Sequence, residues 1–281
     1  MIAVIPAAGM GTRFLPATKA LPKEMLPVLD KPVIQYVVEE ALDSGASEVV
    51  IVNSRAKREI EAHFSADEAL VEGLRAAGKG AYADAVERAG SLAVSYVYQD
   101  EPLGLGDAIR CAAEKTAGES FLVLLGDVLV TDSSIVRRLA EVSAEHGGAS
   151  VVAVFEVSGD EISRYGVIGG EPMGDGVWKV DRLVEKPARE EAPSNLAIFG
   201  RYLLSNKVME LLQVAEPGAG GEIQLTDAID AALASEEVYA VVIDPDIGHD
   251  TGTVAAWLET NVRLALGDPR YADSIRKALG D

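Results

Sequence analysis

The chain is poor in cysteine, histidine and positive charge. Cys111 is the only cysteine in 281 residues, which excludes an intramolecular disulfide and a zinc site made of several thiolates. The three histidines, His63, His146 and His249, are well separated. Neither G-x-S-x-G nor another nucleophile signature occurs, so a Ser-His-Asp hydrolase has little support. No stretch approaches ~20 consecutive apolar residues, and no membrane span is expected. The first residues have no basic n-region and no long apolar core, which predicts no secretory signal and a cytoplasmic protein. Lys and Arg number 25 against 45 Asp and Glu, for a net charge of −20. Such a chain has no broad basic surface for nucleic acid or an anionic membrane.

What is present is ordinary globular material, 48% hydrophobic and 25% charged, enough for a sizeable core. The length favours one large α/β domain over two small ones. Ile2–Ile5, Val49–Val52, Val94–Tyr98, Phe121–Leu125 and Val151–Val157 read as strands. The first, second and fourth are apolar without alternation, as in strands covered on both faces. Val33, Ile34, Val37, Val38, Ala41 and Leu42 follow helical spacing, with Pro32 placed for a first turn and Gly45 for a stop. Further helices are expected over 55–63, 66–77, 106–117 and 133–146. This alternation implies a mainly parallel sheet with helices on both faces. After residue 150 the pattern loosens. Strands are expected at 165–169, 177–185, 196–203 and 238–243, with Gly/Pro-rich joints at 169–176 and 215–221. Helices are expected over 205–213, 223–235 and 254–266, and the charged tail 268–281 also reads as helical. This half reads as a mixed continuation of the same sheet.

The first thirty-odd residues carry the densest signal. An apolar strand runs into Gly9-Met10-Gly11-Thr12-Arg13, then P-A-T-K-A-L-P-K-E-M-L-P. Residues 1–36 hold four basic side chains (Arg13, Lys19, Lys23, Lys31) against two acidic ones (Glu24, Asp30). Bare backbone amides beside fixed positive charge suit a phosphate chain. The dinucleotide fingerprint fits poorly: its third glycine position holds Phe14, and Pro16 and Pro22 would disrupt the helix it requires. That disfavours a nicotinamide oxidoreductase. The P-loop, with Gly-Lys-Ser/Thr after four spacers, is absent. The alternative to a phosphate loop is a tight structural turn.

Residues 3–42 resemble the signature of the sugar-phosphate nucleotidyltransferases, and among them the bacterial UTP–glucose-1-phosphate uridylyltransferases. E-K-P at 185–187, A-P-S-N-L-A-I-x-G-R-Y at 192–202 and P-G-A-G-x-E-I-Q-L-T-D-A-I at 217–229 extend the resemblance, in order, over almost the whole chain. It implies a Rossmann-like mixed, mainly parallel sheet flanked by helices, in one nucleotidyltransferase domain over 1–281. The nucleotide part would cover about 1–150, the sugar part about 151–250 and C-terminal helices about 252–281. It also implies transfer of a uridylyl group from UTP to glucose 1-phosphate, giving UDP-glucose and pyrophosphate with Mg²⁺. Two alternatives stay open: a thymidylyltransferase using dTTP, and a non-catalytic nucleotide-sugar binding protein. A homodimer or homotetramer is the family's habit.

The resemblance assigns the nucleotide to Ala7, Ala8, Gly9, Gly11, Thr12, Arg13 and Lys23, with Gln99 and Gly104 reading the base. A Gln amide can pair with a donor and an acceptor on a pyrimidine edge; an exposed Gln at a strand end is the bland alternative. Asp127 ends the strand F-L-V-L-L-G-D at the carboxyl edge, where open parallel sheets bind ligands. It is similar to the family's magnesium-binding Asp, and Asp250 matches the second metal-site Asp of the thymidylyl relatives. Asp244 and Asp246 are lower-ranked rivals on the same loop. Any of these Asp could instead cap a loop.

On the sugar side the resemblance implies Gly166, Glu185, Lys186, Ile198 and Tyr202. Core packing is the competing reading for Ile198 and Tyr202. Adjacent residues of a regular strand point opposite ways, so Glu185 and Lys186 reach one ligand only at a twist or strand end. Arg13, Lys23, Asp127 and Lys186 would carry the catalysis. Two positions depart from the family. Asp107 stands where His usually follows G-L-G. Thr251–Trp257 reads T-G-T-V-A-A-W, closer to the thymidylyl relatives than to an Asn-Lys-Gly-Tyr-like continuation.

Overall fold

The computed structural model describes residues 1–218 and 221–280. The joint 215–221, the segment 217–229 and the tail 268–281 each include a residue outside that range. The first half holds β1 (Ile2–Pro6), β2 (Pro27–Val28), β3 (Lys31–Pro32), α1 (Val33–Asp43), β4 (Glu48–Asn53), α2 (Arg58–His63), α3 (Glu68–Ala76), α4 (Gly80–Ser91), β5 (Val94–Tyr98), α5 (Leu105–Arg110), α6 (Ala113–Thr116), β6 (Phe121–Leu124), β7 (Val128–Val130) and α7 (Ser134–Glu145). The second half holds β8 (Ser150–Glu156), β9 (Gly166–Gly174), β10 (Val177–Glu185), β11 (Leu196–Leu204), α8 (Asn206–Val214), α9 (Leu225–Ala232), β12 (Val238–Val242), β13 (Gly248–Asp250), α10 (Val254–Gly267) and α11 (Ala272–Leu279).

Nine strands form one mixed sheet in the order β5-β4-β1-β6-β11-β8-β12-β10-β9. The β5-β4-β1-β6 portion is parallel, and β11 runs antiparallel to both β6 and β8. The unalternating apolar runs explain the layers. Successive side chains of a strand leave opposite faces. Val4, Val50, Val52, Val123 and Val152 therefore join one core with Leu212 and Ile229 of α8 and α9. Ala3, Ile5, Ile51, Leu122 and Leu124 join a second core with Ile34, Val37 and Val38 of α1 and Leu139 of α7.

This topology places the site. From β1 the chain moves outward to β4 and β5, then returns to lay β6 on the other side of β1. The loop after β1 therefore sits at the point where the strand order reverses, the usual ligand crevice of open α/β sheets.

The structure departs from the expectations at three places. The joint at 169–176 is mostly strand: β9 runs to Gly174 and pairs with β10. Asp175 (φ 49°) and Gly176 (φ 73°) make the turn, which is the two-residue D-G hairpin geometry. Helix α4 was not expected. Its buried residues are alanines, Ala83 and Ala89, so it lacks the large-apolar periodicity that betrays a helix. The 106–117 helix divides into α5 and α6.

Candidate active site

The loop after β1 is built to stay open. Gly11 takes φ 64°, and a Cβ there would lie 3.2 Å from both Lys23 Cβ and Thr18 Cγ2. Thr18 Oγ1 donates to the Gly11 carbonyl at 2.8 Å. Thr12 and Arg13 then enter a single 3₁₀ turn, as the following prolines require. A buried pair braces the loop from behind. Lys57 Nζ donates to the Ala7 carbonyl at 2.6 Å and to Glu24 Oε2 at 2.9 Å. Burial pushes the Glu24 carboxyl up and the Lys57 amine down, each offset in part by the other's charge.

Asp127 lies in the turn between β6 and β7. Strand β7 pairs with β13, with Asp250 opposite Val128, so this small ribbon carries two carboxylates to the same place. Thr251 ties the junction: its N–H and Oγ1 donate to the Asp127 carbonyl at 2.8 and 2.7 Å. Gly252 leaves the centre open. A Cβ built on it would lie 2.9 Å from Asp250 Oδ1, 3.3 Å from Asp127 Oδ2 and 3.7 Å from Arg13 Nη1. Lys23 Nζ donates to Asp127 Oδ2 at 2.6 Å. Burial raises the Asp127 pKa but Lys23 outweighs it, and the carboxyl is held below its usual range. Burial likewise opposes the charge on Lys23, yet Asp127 and Glu24 outweigh it and its pKa rises. Asp244 and Asp250 each cap a local turn, accepting from Asp246 N at 2.9 Å and from Gly252 N at 2.6 Å.

A cavity of about 330 Å³ joins Ala8, Gly9, Lys23, Gln99, Gly104 and Asp127. Gly104 adopts φ 103°, and a Cβ there would collide with the Ile223 carbonyl at 2.7 Å. Its backbone can therefore approach the cavity only as glycine. Gln99 is 8% exposed and donates from Nε2 to Gly104 O at 3.1 Å and Asp107 Oδ2 at 2.6 Å.

The sugar-side residues also converge. Lys186 has φ 45°, and this left-handed residue just after β10 provides the break in alternation that a shared ligand demands. Its Nζ sits 3.0 Å from Glu185 Oε1. Thr226 Oγ1 donates to Glu185 Oε2 at 2.7 Å. A Cβ on Gly166 would lie 2.8 Å from Thr226 Oγ1, 3.1 Å from Ile198 Cδ1 and 3.2 Å from Glu185 Oε2. Ile198 and Tyr202 are 6% and 5% exposed and belong to the core. Burial, with the Glu185 charge, raises the Tyr202 pKa.

The departure at Thr251–Trp257 packs beside Phe14 and Pro27. Thr253 caps α10 through Ala256 N at 3.2 Å. Trp257 packs edge-on against Phe14, centroids 6.5 Å apart, and its Nε1 donates to Pro27 O at 3.0 Å. The residues lining the cavity around Gln99 and Gly104 include none of this segment.

Sequence reading overlooked Arg201, although an arginine inside L-A-I-F-G-R-Y-L-L was a visible anomaly. It is fully buried. Its Nε and Nη2 grip both oxygens of Glu40 at 2.9 and 2.6 Å. Nη2 also reaches Val128 O at 2.7 Å, and Nη1 lies 3.4 Å from Leu125 O. It therefore pins the turn on both sides of Asp127. The Lys57–Glu24 brace was also overlooked, since nothing local marks a pair 33 positions apart.

Comparison with known proteins agrees with this geometry. The nucleotidyl transferase family profile matches residues 2–266. A UTP–glucose-1-phosphate uridylyltransferase of Streptococcus pneumoniae serotype 4 is 44% identical over 99% of this chain and 94% of its own length. A solved UDP-glucose pyrophosphorylase complexed with UDP-glucose superposes with a TM-score of 0.83 at 36% identity, covering 95% of this chain and 99% of that one. A UTP-bound enzyme of the same kind from Acinetobacter baumannii gives 0.90 at 32% identity, covering 100% and 98%. The chain belongs to the nucleotidyl transferase family.

Proposed function

We propose that this enzyme transfers a uridylyl group from UTP to glucose 1-phosphate, giving UDP-glucose and pyrophosphate. The observation that carries this is the single cavity that brings the phosphate loop, Lys23, Asp127, Gln99 and Gly104 together. An oxygen of the sugar phosphate attacks the α-phosphorus of UTP in line. The bond from that phosphorus to the β-phosphate oxygen breaks, and pyrophosphate leaves. No protein nucleophile is required, because this chemistry rewards positioning and charge neutralisation. Arg13, Lys23 and the amides of Gly9–Thr12 hold the triphosphate and the departing pyrophosphate. Glu185 accepts from sugar hydroxyls, and Lys186 aims the attacking phosphate.

Asp127 and Asp250 suit Mg²⁺. Two hard carboxylates around the space left by Gly252 are what an ion sharing its coordination with substrate phosphates needs. Asp127 and Asp250 would hold the ion, which would supply positive charge to neutralise phosphate oxygens. Lys23 also gives Asp127 a counter-charge. Work on soluble cytoplasmic substrates fits a chain with no helix, among the described residues, long and apolar enough to cross a membrane.

The deciding experiment pairs UTP, dTTP, ATP, CTP and GTP with glucose 1-phosphate and other sugar 1-phosphates, and reads pyrophosphate release. UTP with glucose 1-phosphate should be fastest. Activity confined to dTTP would reject the base assignment, and UDP-glucose binding without any release would favour a sensor. Lys186→Ala should raise the KM for glucose 1-phosphate at least about tenfold, the worth of a hydrogen bond to a charged group. The KM for UTP should stay nearly constant. An unchanged glucose 1-phosphate KM would return Lys186 to the status of an exposed strand-end charge.

A further inference from the structure

The base cavity contains one side chain whose orientation is dictated by its neighbours. Gln99 Nε2 faces two atoms, Asp107 Oδ2 at 2.6 Å and Gly104 O at 3.1 Å. A carboxylate and a main-chain carbonyl only accept, so both hydrogens of the Gln99 amide nitrogen are committed. Turning the amide over would set its oxygen against two oxygens. The Asp107 carboxylate is itself held, because Arg110 Nη2 takes its other oxygen at 2.6 Å. Asp107 is 5% exposed, so water competes little for these bonds. The only group left to face a ligand is Gln99 Oε1, an acceptor, and Gln99 lines the cavity.

We propose that Asp107 is a positioning residue for base selection, locking the Gln99 amide so that its oxygen faces the pyrimidine edge. This rests on the reading of Gln99 as the base contact in the function proposed above. Uracil and thymine carry a hydrogen on N3, which Oε1 accepts. Cytosine presents a bare N3 acceptor, so two lone pairs would meet in a buried site. Discrimination of this kind comes from the repulsive element as much as from the attractive one. The ionised Asp107 thus fixes the base reader with an acceptor that cannot also serve as a donor.

The test is Asp107→Asn, measured with UTP and with CTP. Arg110 retains the Asn carbonyl, which turns the new NH₂ toward Gln99. Gln99 then meets a donor on one side and the Gly104 carbonyl on the other, and both amide orientations become populated. The ratio of kcat/KM for UTP over CTP should fall at least about tenfold, the range expected for one buried hydrogen bond to a charged group. The KM for glucose 1-phosphate should not move. Asp107→Leu, which removes the acceptor without adding a donor, should lower the ratio less. An unchanged ratio in Asp107→Asn overturns the proposal. So does a loss shared equally by UTP, CTP and the glucose 1-phosphate KM, because that is the mark of a merely structural residue. Failure of the underlying reading is seen separately, in an unaltered protein that shows no preference for UTP over CTP.

Discussion

Asp127→Asn is expected to lower kcat/KM for UTP at least about 10²-fold, or roughly 2.7 kcal/mol in the barrier. The fold should survive. The bonds that seat the turn run from Thr251 to the main-chain oxygen of residue 127, which Asn keeps, and an amide oxygen still accepts from Lys23. The lost charge should cost about 1–2 kcal/mol of stability, as for a charge-assisted hydrogen bond. The pH dependence follows in sign. The Asp127 pKa is lowered from 3.8 in the folded chain, so its contribution is present above that value and lost as pH falls through the depressed one. The Asn variant should lack this acid-side loss. Turnover and urea unfolding between neutral pH and the acid transition check both parts. Near-parental activity would remove Asp127 from the reaction.

Arg201→Met should be the most destabilising of the changes considered. It leaves Glu40 buried without its partner, and breaking one side of a buried pair costs about 3–5 kcal/mol. For a chain of this size that is on the order of 10 °C in the unfolding midpoint. The damage should reach the reaction as well, because Leu125 O and Val128 O lose the donor that clamps the turn around Asp127. The double change Glu40→Leu with Arg201→Met should lose less stability than Arg201→Met alone, since no charge is then stranded. Calorimetry on the three variants decides it. A single-variant loss below about 1 kcal/mol would mean that water reaches and solvates the carboxylate.

The parts of the molecule that could be read from sequence are those whose cause is local. The runs at β1, β4 and β6 announced themselves because both faces are buried. The prolines after Thr12 announced that no helix follows the glycine loop. That Asp127 follows an apolar strand of the parallel portion was legible. The turn into left-handed backbone at Lys186 was legible only as a requirement: two neighbours on one ligand need a break, and φ 45° supplies it.

What could not be read depends on partners brought together by folding. Glu40 and Arg201 are 161 positions apart. Gln99 and Asp107 are close in sequence, yet only the cavity reveals which end of the amide is committed. The departure of Thr251–Trp257 from the family pattern was visible, but its contacts were not: Thr251 donates to the Asp127 carbonyl and Trp257 packs against Phe14. Helix α4 was hidden because alanine fills its buried positions.

The position of β11 has a consequence for any attempt to rebuild this enzyme. It contributes residues 196–204, yet it lies between β6 and β8 and hydrogen-bonds to both. A fragment ending near residue 150 would expose the whole edge of Phe121–Leu124, an apolar strand with nothing to pair it. Such an edge recruits other chains. Exchanging halves between relatives would instead set a foreign β11 against the native β6, and the match of that one pairing would decide whether the edge is covered. Grafting the turns at 126–127, 165–166 and 185–187 would leave every strand beside its native neighbour.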